Sequence, residues 1–363
     1  MTRSVPARPA LSGAVRPVAV VGGAGFIGCN IAESFLAEGR DVIVADTLAR
    51  PGVERNLAWL TARHGARVHH VAADVRDPSA ISAALEDAGA VVHLAAQVAV
   101  TTSLEDPVAD FEVNARGTLN VLEAVRRTGR RVPVVFASTN KVYGSLEDLG
   151  FEDVGEATLP RDPAKRAHGV PEARNLDFCT PYGCSKGVAD QYVLDWAKSY
   201  GLPTAVLRMS CIYGPHQFGT EDQGWLAHFL IRALRGEPIT IYGTGRQVRD
   251  VLHVSDAVAA YRAVLAGIEG VKGRAFNLGG GPANAVSLNA ALAEIARLAG
   301  REIRLDGSDW RRGDQPWFVA DTRALQAALG WTTRVGWRDG LADLADWLRR
   351  ESGLILEDRR LSA

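Results

Sequence analysis

Tyr182 and Lys186, four residues apart in Tyr-Gly-Cys-Ser-Lys, have the chemistry to move a proton. On a helix, that offset puts both side chains on one face. A phenol titrates at about pH 10 in water, too high for a general base at neutral pH, and a neighbouring ammonium favours the phenolate. Composition sharpens the pair. Of 41 basic residues only five are lysine, and two of those, Lys141 and Lys186, fall in candidate site segments. A further hydroxyl stands at Thr139, within Pro133-Val-Val-Phe-Ala-Ser138-Thr139-Asn140-Lys141. There it can share a proton passing between Tyr182 and a substrate oxygen. Such chemistry suits an alcohol or a ketone, and it requires a hydride carrier.

The elements around these residues supply a place for one. Val18–Val21 is an apolar run of the kind a buried parallel strand requires, followed by Gly22-Gly-Ala-Gly25-Phe26-Ile27-Gly28. Ile31, Phe35 and Leu36 then recur at helical spacing. Glycines at a strand-to-helix turn permit a tight bend, close approach of backbone to a pyrophosphate, and close helix packing. The helix start offers free N–H groups to phosphate. The spacing, G-x-x-G-x-x-G, departs from the commoner G-x-G-x-x-G. The next strand ends at Asp46, 18 residues beyond Gly28, where a carboxylate accepts both adenosine ribose hydroxyls and repels a 2′-phosphate. NAD is therefore expected over NADP, although Arg50 lies close by and Asp46 could instead cap its own segment. Arg67–Val71 leads to Asp74 and Val75, candidates for the adenine edge. Ala90–Leu94 leads to Ala95, Ala96 and Gln97, small residues that let backbone pass near a cofactor. His69 and His70 read as strand and surface residues, and no metal site is expected.

These motifs resemble the extended short-chain dehydrogenases/reductases that act on nucleotide sugars, over roughly residues 17–348. The resemblance implies a Rossmann-type α/β fold, a doubly wound parallel sheet with a smaller mixed α/β lobe for substrate. It makes Thr139, Tyr182 and Lys186 the catalytic trio, with Lys186 also holding the nicotinamide ribose, and adds Asn114 to the cofactor residues. Within the family, Val98–Ser103, Ser138–Gly144, Thr180–Gly187, Gln217-Phe218, Asp222–Trp225 and Gly245–Asp250 are similar to the branch that inverts carbon 2 of CDP-hexoses of the paratose and tyvelose type. The dehydratase branch carries Asp-Glu directly after its threonine. Here Asn140-Lys141 stands there, and a lysine cannot serve as that carboxylic base. The resemblance thus implies oxidation at carbon 2, rotation of a keto sugar in the pocket and re-reduction on the opposite face, with tightly bound NAD recycled in each turnover. Substrate contacts are expected from Thr102, Asn140, Lys141, Ser210, Gln217, Gln223, Tyr242, Arg249 and Arg312. A 4-epimerase of the UDP-glucose type stays open as the alternative, as does a catalytically idle NAD-binding scaffold or sensor.

With 363 residues, 47 % of them hydrophobic, the chain can bury a large core. A net charge of −1 gives no footprint for nucleic acid. No apolar run reaches the ~18 residues of a membrane span. Residues 1–16 lack a signal-peptide core and read as a disordered tail, and the four cysteines show no paired metal spacing, which fits a reducing cytoplasm. The expected organisation is a cofactor domain over 17–197 to which 204–213 and 248–278 return, a mainly substrate-binding lobe over 214–350, and a tail over 351–363. The polar, Pro-rich stretch 145–180 is expected to be a flap near the sugar. A homodimer through the Tyr182 helix and its predecessor is implied by the resemblance.

Overall fold

Seven short strands rich in valine, alanine and isoleucine form one parallel sheet in the computed structural model, which describes residues 15–311 and 313–351. They are β1 (Val18–Val21), β2 (Val42–Ala45), β3 (Val68–Val71), β4 (Ala90–His93), β5 (Val134–Thr139), β6 (Thr204–Met209) and β7 (Arg274–Leu278). Their spatial order is β7-β6-β5-β4-β1-β2-β3. The chain runs outward from β1 to β3, then starts again at β4 on the other side of β1. That reversal opens a crevice beyond the carboxyl ends of β1 and β4, where such sheets bind ligands.

Alternation along the strands feeds two apolar layers. Val18, Val20, Val42 and Val44 face helices Phe26–Leu36 and Val254–Ala266. Ala19, Val21, Val91 and Val134 face helices Pro78–Leu85, Gly117–Arg127 and Thr180–Ser199. Covering both faces is what an all-parallel sheet requires.

The second lobe is built around Val248–His253, which pairs antiparallel with Ala285–Ser287 and parallel with both Trp317–Phe318 and Cys211–Tyr213. Helices Trp225–Arg235, Leu288–Ala299 and Trp337–Arg350 share a separate apolar cluster over it. Two expectations change here. The large sheet takes back only β6 and β7, whereas Cys211–Tyr213 and Val248–His253, read from sequence as part of that return, pair with each other in the small sheet. The 145–180 stretch is also not a structureless flap. It holds a hairpin, Phe151–Val154 with Ala157–Pro160, and a helix, Pro163–His168. Phe151, Ala157 and Leu159 pack beside Trp317 and Val319, and no residue from 145 to 178 lines the clefts described below. The tails fall outside the described residues but for Val15, Arg16 and Glu351.

Candidate active site

The three candidate catalytic side chains meet at the carboxyl end of β5. Thr139 is its last residue, and Tyr182 and Lys186 lie on the inner face of helix Thr180–Ser199; all three are buried. A buried ion pair locks this corner. Asp190, one turn beyond Lys186, accepts from Arg208 of β6 at 2.9 and 3.0 Å and from the Ser138 hydroxyl at 2.8 Å. Sheet and helix are thereby joined directly behind the site.

The electrostatics differ from the sequence-based expectation. Among the described residues the Lys186 ammonium makes no hydrogen bond to Tyr182. It donates to the Ala137 carbonyl at 2.6 Å and sits 4.1 Å above the Phe136 ring. Burial pushes its pKa down to about 7, against the pull of Asp190 and Asp110. Burial also pushes the Tyr182 phenol up, with Asp110 adding to the rise, while a hydrogen bond with Thr139 and the charge of Arg50 oppose it. The residue type and spacing were legible, but the lysine's preferred partner is a backbone carbonyl that sequence does not reveal.

Along the switch point the glycine turn makes the floor. A Cβ on Gly22 would lie 2.7 Å from the Ala95 nitrogen, and one on Gly28 would lie 2.2 Å from the Gly22 carbonyl oxygen. Only glycine lets this strand, turn and helix close up. The cleft is walled by Gly22, Gly25, Asp46, Asp74, Val75, Leu94, Ala95, Ala96 and Gln97, and it continues past Phe26, Ile27 and Gly28 to Tyr182. Asp46 accepts from Ala24 N at 3.0 Å and Leu48 N at 2.9 Å, one bond per oxygen, so each oxygen keeps a second lone pair. Asp74 is held by the Arg76 guanidinium, which keeps its carboxyl below the usual range. Such a groove, with a carboxylate beside the glycine turn and a helix N-terminus behind it, fits a dinucleotide.

Asn114, expected beside the cofactor, does not line the cleft. Its amide accepts from Gln97 N at 2.9 Å and donates to Gln97 O, Asp110 and Ser185. It fixes Gln97 and ties the helix carrying Tyr182 to the wall. Asp110, which the sequence reading missed, is the buried carboxylate of this network; it gave no signal because its partners come from three separate segments.

Thr139 also opens onto a second cavity of about 300 Å³, shared with Tyr182, Asn140, Lys141, Gln223, Tyr242 and Arg249. Lys141 donates to Gly313 O at 2.9 Å, and burial together with the Arg249 charge pushes its pKa down to about 8. Arg249 is paired with Asp314 at 2.6 Å rather than with its neighbour Asp250. Asp250 is fully buried and accepts from Ser210, Gly281 N and Ala320 N. Ser210 and Gln217 do border the cleft, next to Tyr182, but the Ser210 hydroxyl is committed to Asp250. Thr102 is a correction: it is exposed, and Thr101 lines the cavity instead. One residue is 100° around a helix, and the short Val100–Glu105 helix was invisible in the sequence pattern. Arg312 lies outside the described residues. Its neighbour Arg311 lines the cavity, 3.8 Å above the Tyr242 ring and paired with Glu221 and Asp222.

Comparisons with known proteins agree with this geometry. Residues 18–279 match the model of the NAD dependent epimerase/dehydratase family. The chain is 39 % identical to a CDP-paratose 2-epimerase of Salmonella typhi, covering 90 % of this chain and 98 % of that one. It is 32 % identical to a dTDP-glucose 4,6-dehydratase of Xanthomonas campestris pv. campestris, covering 90 % and 92 %. The UDP-glucose 4-epimerase of Thermus thermophilus, solved in complex with NAD, superposes with a TM-score of 0.76 at 32 % identity over 92 % of this chain and 99 % of that one. With a glycine-floored crevice, a buried Thr-Tyr-Lys corner and a family match across most of its length, the chain belongs to the NAD-dependent epimerases/dehydratases, enzymes whose cofactor is NAD.

Proposed function

We propose that this enzyme inverts carbon 2 of a CDP-hexose of the paratose/tyvelose type. The observation that carries the reading is Lys141, with Asn140, on the cavity wall directly after Thr139. The dehydratase branch needs a carboxylic base at that point, and an amide with an ammonium cannot abstract a carbon-bound proton in its place. The similarity to a CDP-paratose 2-epimerase over nearly both full lengths supports the same choice.

NAD, when bound, supplies a reversible hydride acceptor whose positively charged ring favours the phenolate of any phenol within reach. Gly22, Gly25, Phe26, Ile27, Gly28, Asp46, Asp74, Val75 and Leu94–Gln97 would hold it, with Lys186 on the ribose beside the reacting ring. Tyr182, as phenolate, takes the proton of the carbon-2 hydroxyl and later returns it to the same oxygen, and Thr139, on the same cavity wall, steadies that oxygen. Between the two transfers the keto sugar turns over within the cavity. Arg249 and Arg311 line the cavity and would offer guanidinium groups to the diphosphate, and Asn140, Lys141, Gln223 and Tyr242, on the same lining, would border the sugar and base.

The test is to incubate purified enzyme, without added cofactor, with CDP-paratose and separately with UDP-glucose, reading products by proton NMR. Inversion at carbon 2 of the first is expected. Inversion only at carbon 4 of the second would instead support the 4-epimerase reading. We also infer a homodimer, supported by the exposed Val108, Phe111 and Tyr192 on the helices bordering the site; sedimentation at the mass of one chain would refute it. Four free cysteines, and no helix among the described residues long and apolar enough to cross a membrane, are in keeping with a cytoplasmic enzyme.

A further inference from the structure

Arg50, in the loop that follows β2, touches both walls of the crevice. Its guanidinium donates to Ala96 O at 2.7 Å on the cofactor domain and to Gln223 Oε1 at 2.9 Å on the second lobe. The adenosine half of the crevice is lined by Asp46, Asp74 and Val75. Among the described residues it shares only Gly22, Gly25, Arg50 and Leu94 with the half that reaches Tyr182. The glycines form the floor of that shared stretch. Arg50, exposed on its outer side, lies across its mouth.

The segment behind Arg50 is anchored to the second lobe independently. Asn56, which is buried, donates to Ala24 O at 3.0 Å and to His216 O at 3.3 Å, joining the glycine turn to the far wall. The Trp59 and His216 rings lie 3.9 Å apart. A Cβ on Gly52 would come within 2.8 Å of the Phe218 ring. His216, at the second-lobe end of this contact, holds a positive φ of 70°, which costs free energy for a non-glycine residue.

We propose that Arg50 clasps the two walls over the pyrophosphate of the dinucleotide and keeps NAD resident between turnovers. A guanidinium spanning the stretch between the two halves meets an anion there with a charge-assisted hydrogen bond. An enzyme that returns its hydride in every cycle has no use for cofactor exchange, so a clasp of this kind does not slow its turnover. The inference rests on NAD as cofactor but not on which carbon is inverted.

The test uses the full chain, as wild type, Arg50→Ala and Arg50→Lys, purified without added cofactor. NAD per chain is measured after acid release, and its loss is followed through buffer exchange. Wild type is expected to retain NAD. Arg50→Ala should lose it about tenfold to a hundredfold faster, the factor expected for one charge-assisted hydrogen bond, and its activity should then depend on added NAD. Arg50→Lys should fall between the two, and thermal melting in excess NAD checks that all three fold. Equal retention in wild type and Arg50→Ala would overturn the proposal, as would a wild type that loses its NAD. Unchanged retention with a raised substrate KM would make Arg50 a substrate contact and would likewise overturn the proposal.

Discussion

At the residue scale the proposed chemistry rests on Tyr182, a phenol that burial pushes up while Thr139 and the charge of Arg50 draw it back down. Tyr182→Phe removes the proton carrier and leaves the shape. Turnover should fall about 10²–10⁴-fold, with NAD content unchanged. Unaltered turnover would remove Tyr182 from the proton transfer, and a wild type with no turnover on either nucleotide sugar would favour an idle scaffold. Lys141 gives a second prediction. Its pKa in the folded chain, about 8, lies below the ordinary lysine value of 10.5. Between those values the unfolded chain binds the extra proton, so stability rises with pH across this window and is lost again as pH falls back to about 8. The stability of wild type relative to Lys141→Met, from denaturant midpoints, should therefore increase between about pH 8 and 10.5. A flat difference would contradict the buried ammonium. Tyr182, Lys186 and Thr139 could be read from residue type and spacing. The actual partners of Lys186 and Arg249 could not, because Ala137 O and Asp314 are brought to them only by the fold.

At the scale of elements, the glycine turn sets the floor of the crevice. Gly28→Ala puts a methyl group 2.2 Å from Gly22 O, a backbone atom that cannot move without shifting β1 or the Phe26–Leu36 helix. The variant should lose about 1–3 kcal/mol of stability in thermal melts and most of its bound NAD. Native NAD content in the variant would mean that the helix start does not hold the phosphates. β1, β2, β4, β5 and the Tyr182 helix were legible because their apolar runs and periodicities are strong. The Phe151–Pro160 hairpin was hidden, since exposed, polar strands carry no burial pattern. The 248–278 segment was expected to return to the cofactor domain, but its first strand, Val248–His253, joins the small sheet. Fully buried on both faces, its sequence carries no sign of which sheet it joins.

At the scale of the whole molecule, two lobes meet over a continuous path from Asp46 through Tyr182 to Arg249. On the proposed reading the cofactor half is common to dehydratases and epimerases, and the residues just past Thr139, which line the second cavity, would decide what happens to the sugar. The most direct measurement of that claim uses CDP-paratose carrying deuterium at carbon 2, incubated in ordinary water without added cofactor. Proton NMR and mass spectrometry should show inversion at carbon 2 with the deuterium retained, because hydride leaves and returns within one bound complex. Loss of deuterium from carbon 2 during inversion would show exchange with solvent through a neighbouring ketone, and would contradict transient oxidation at that carbon.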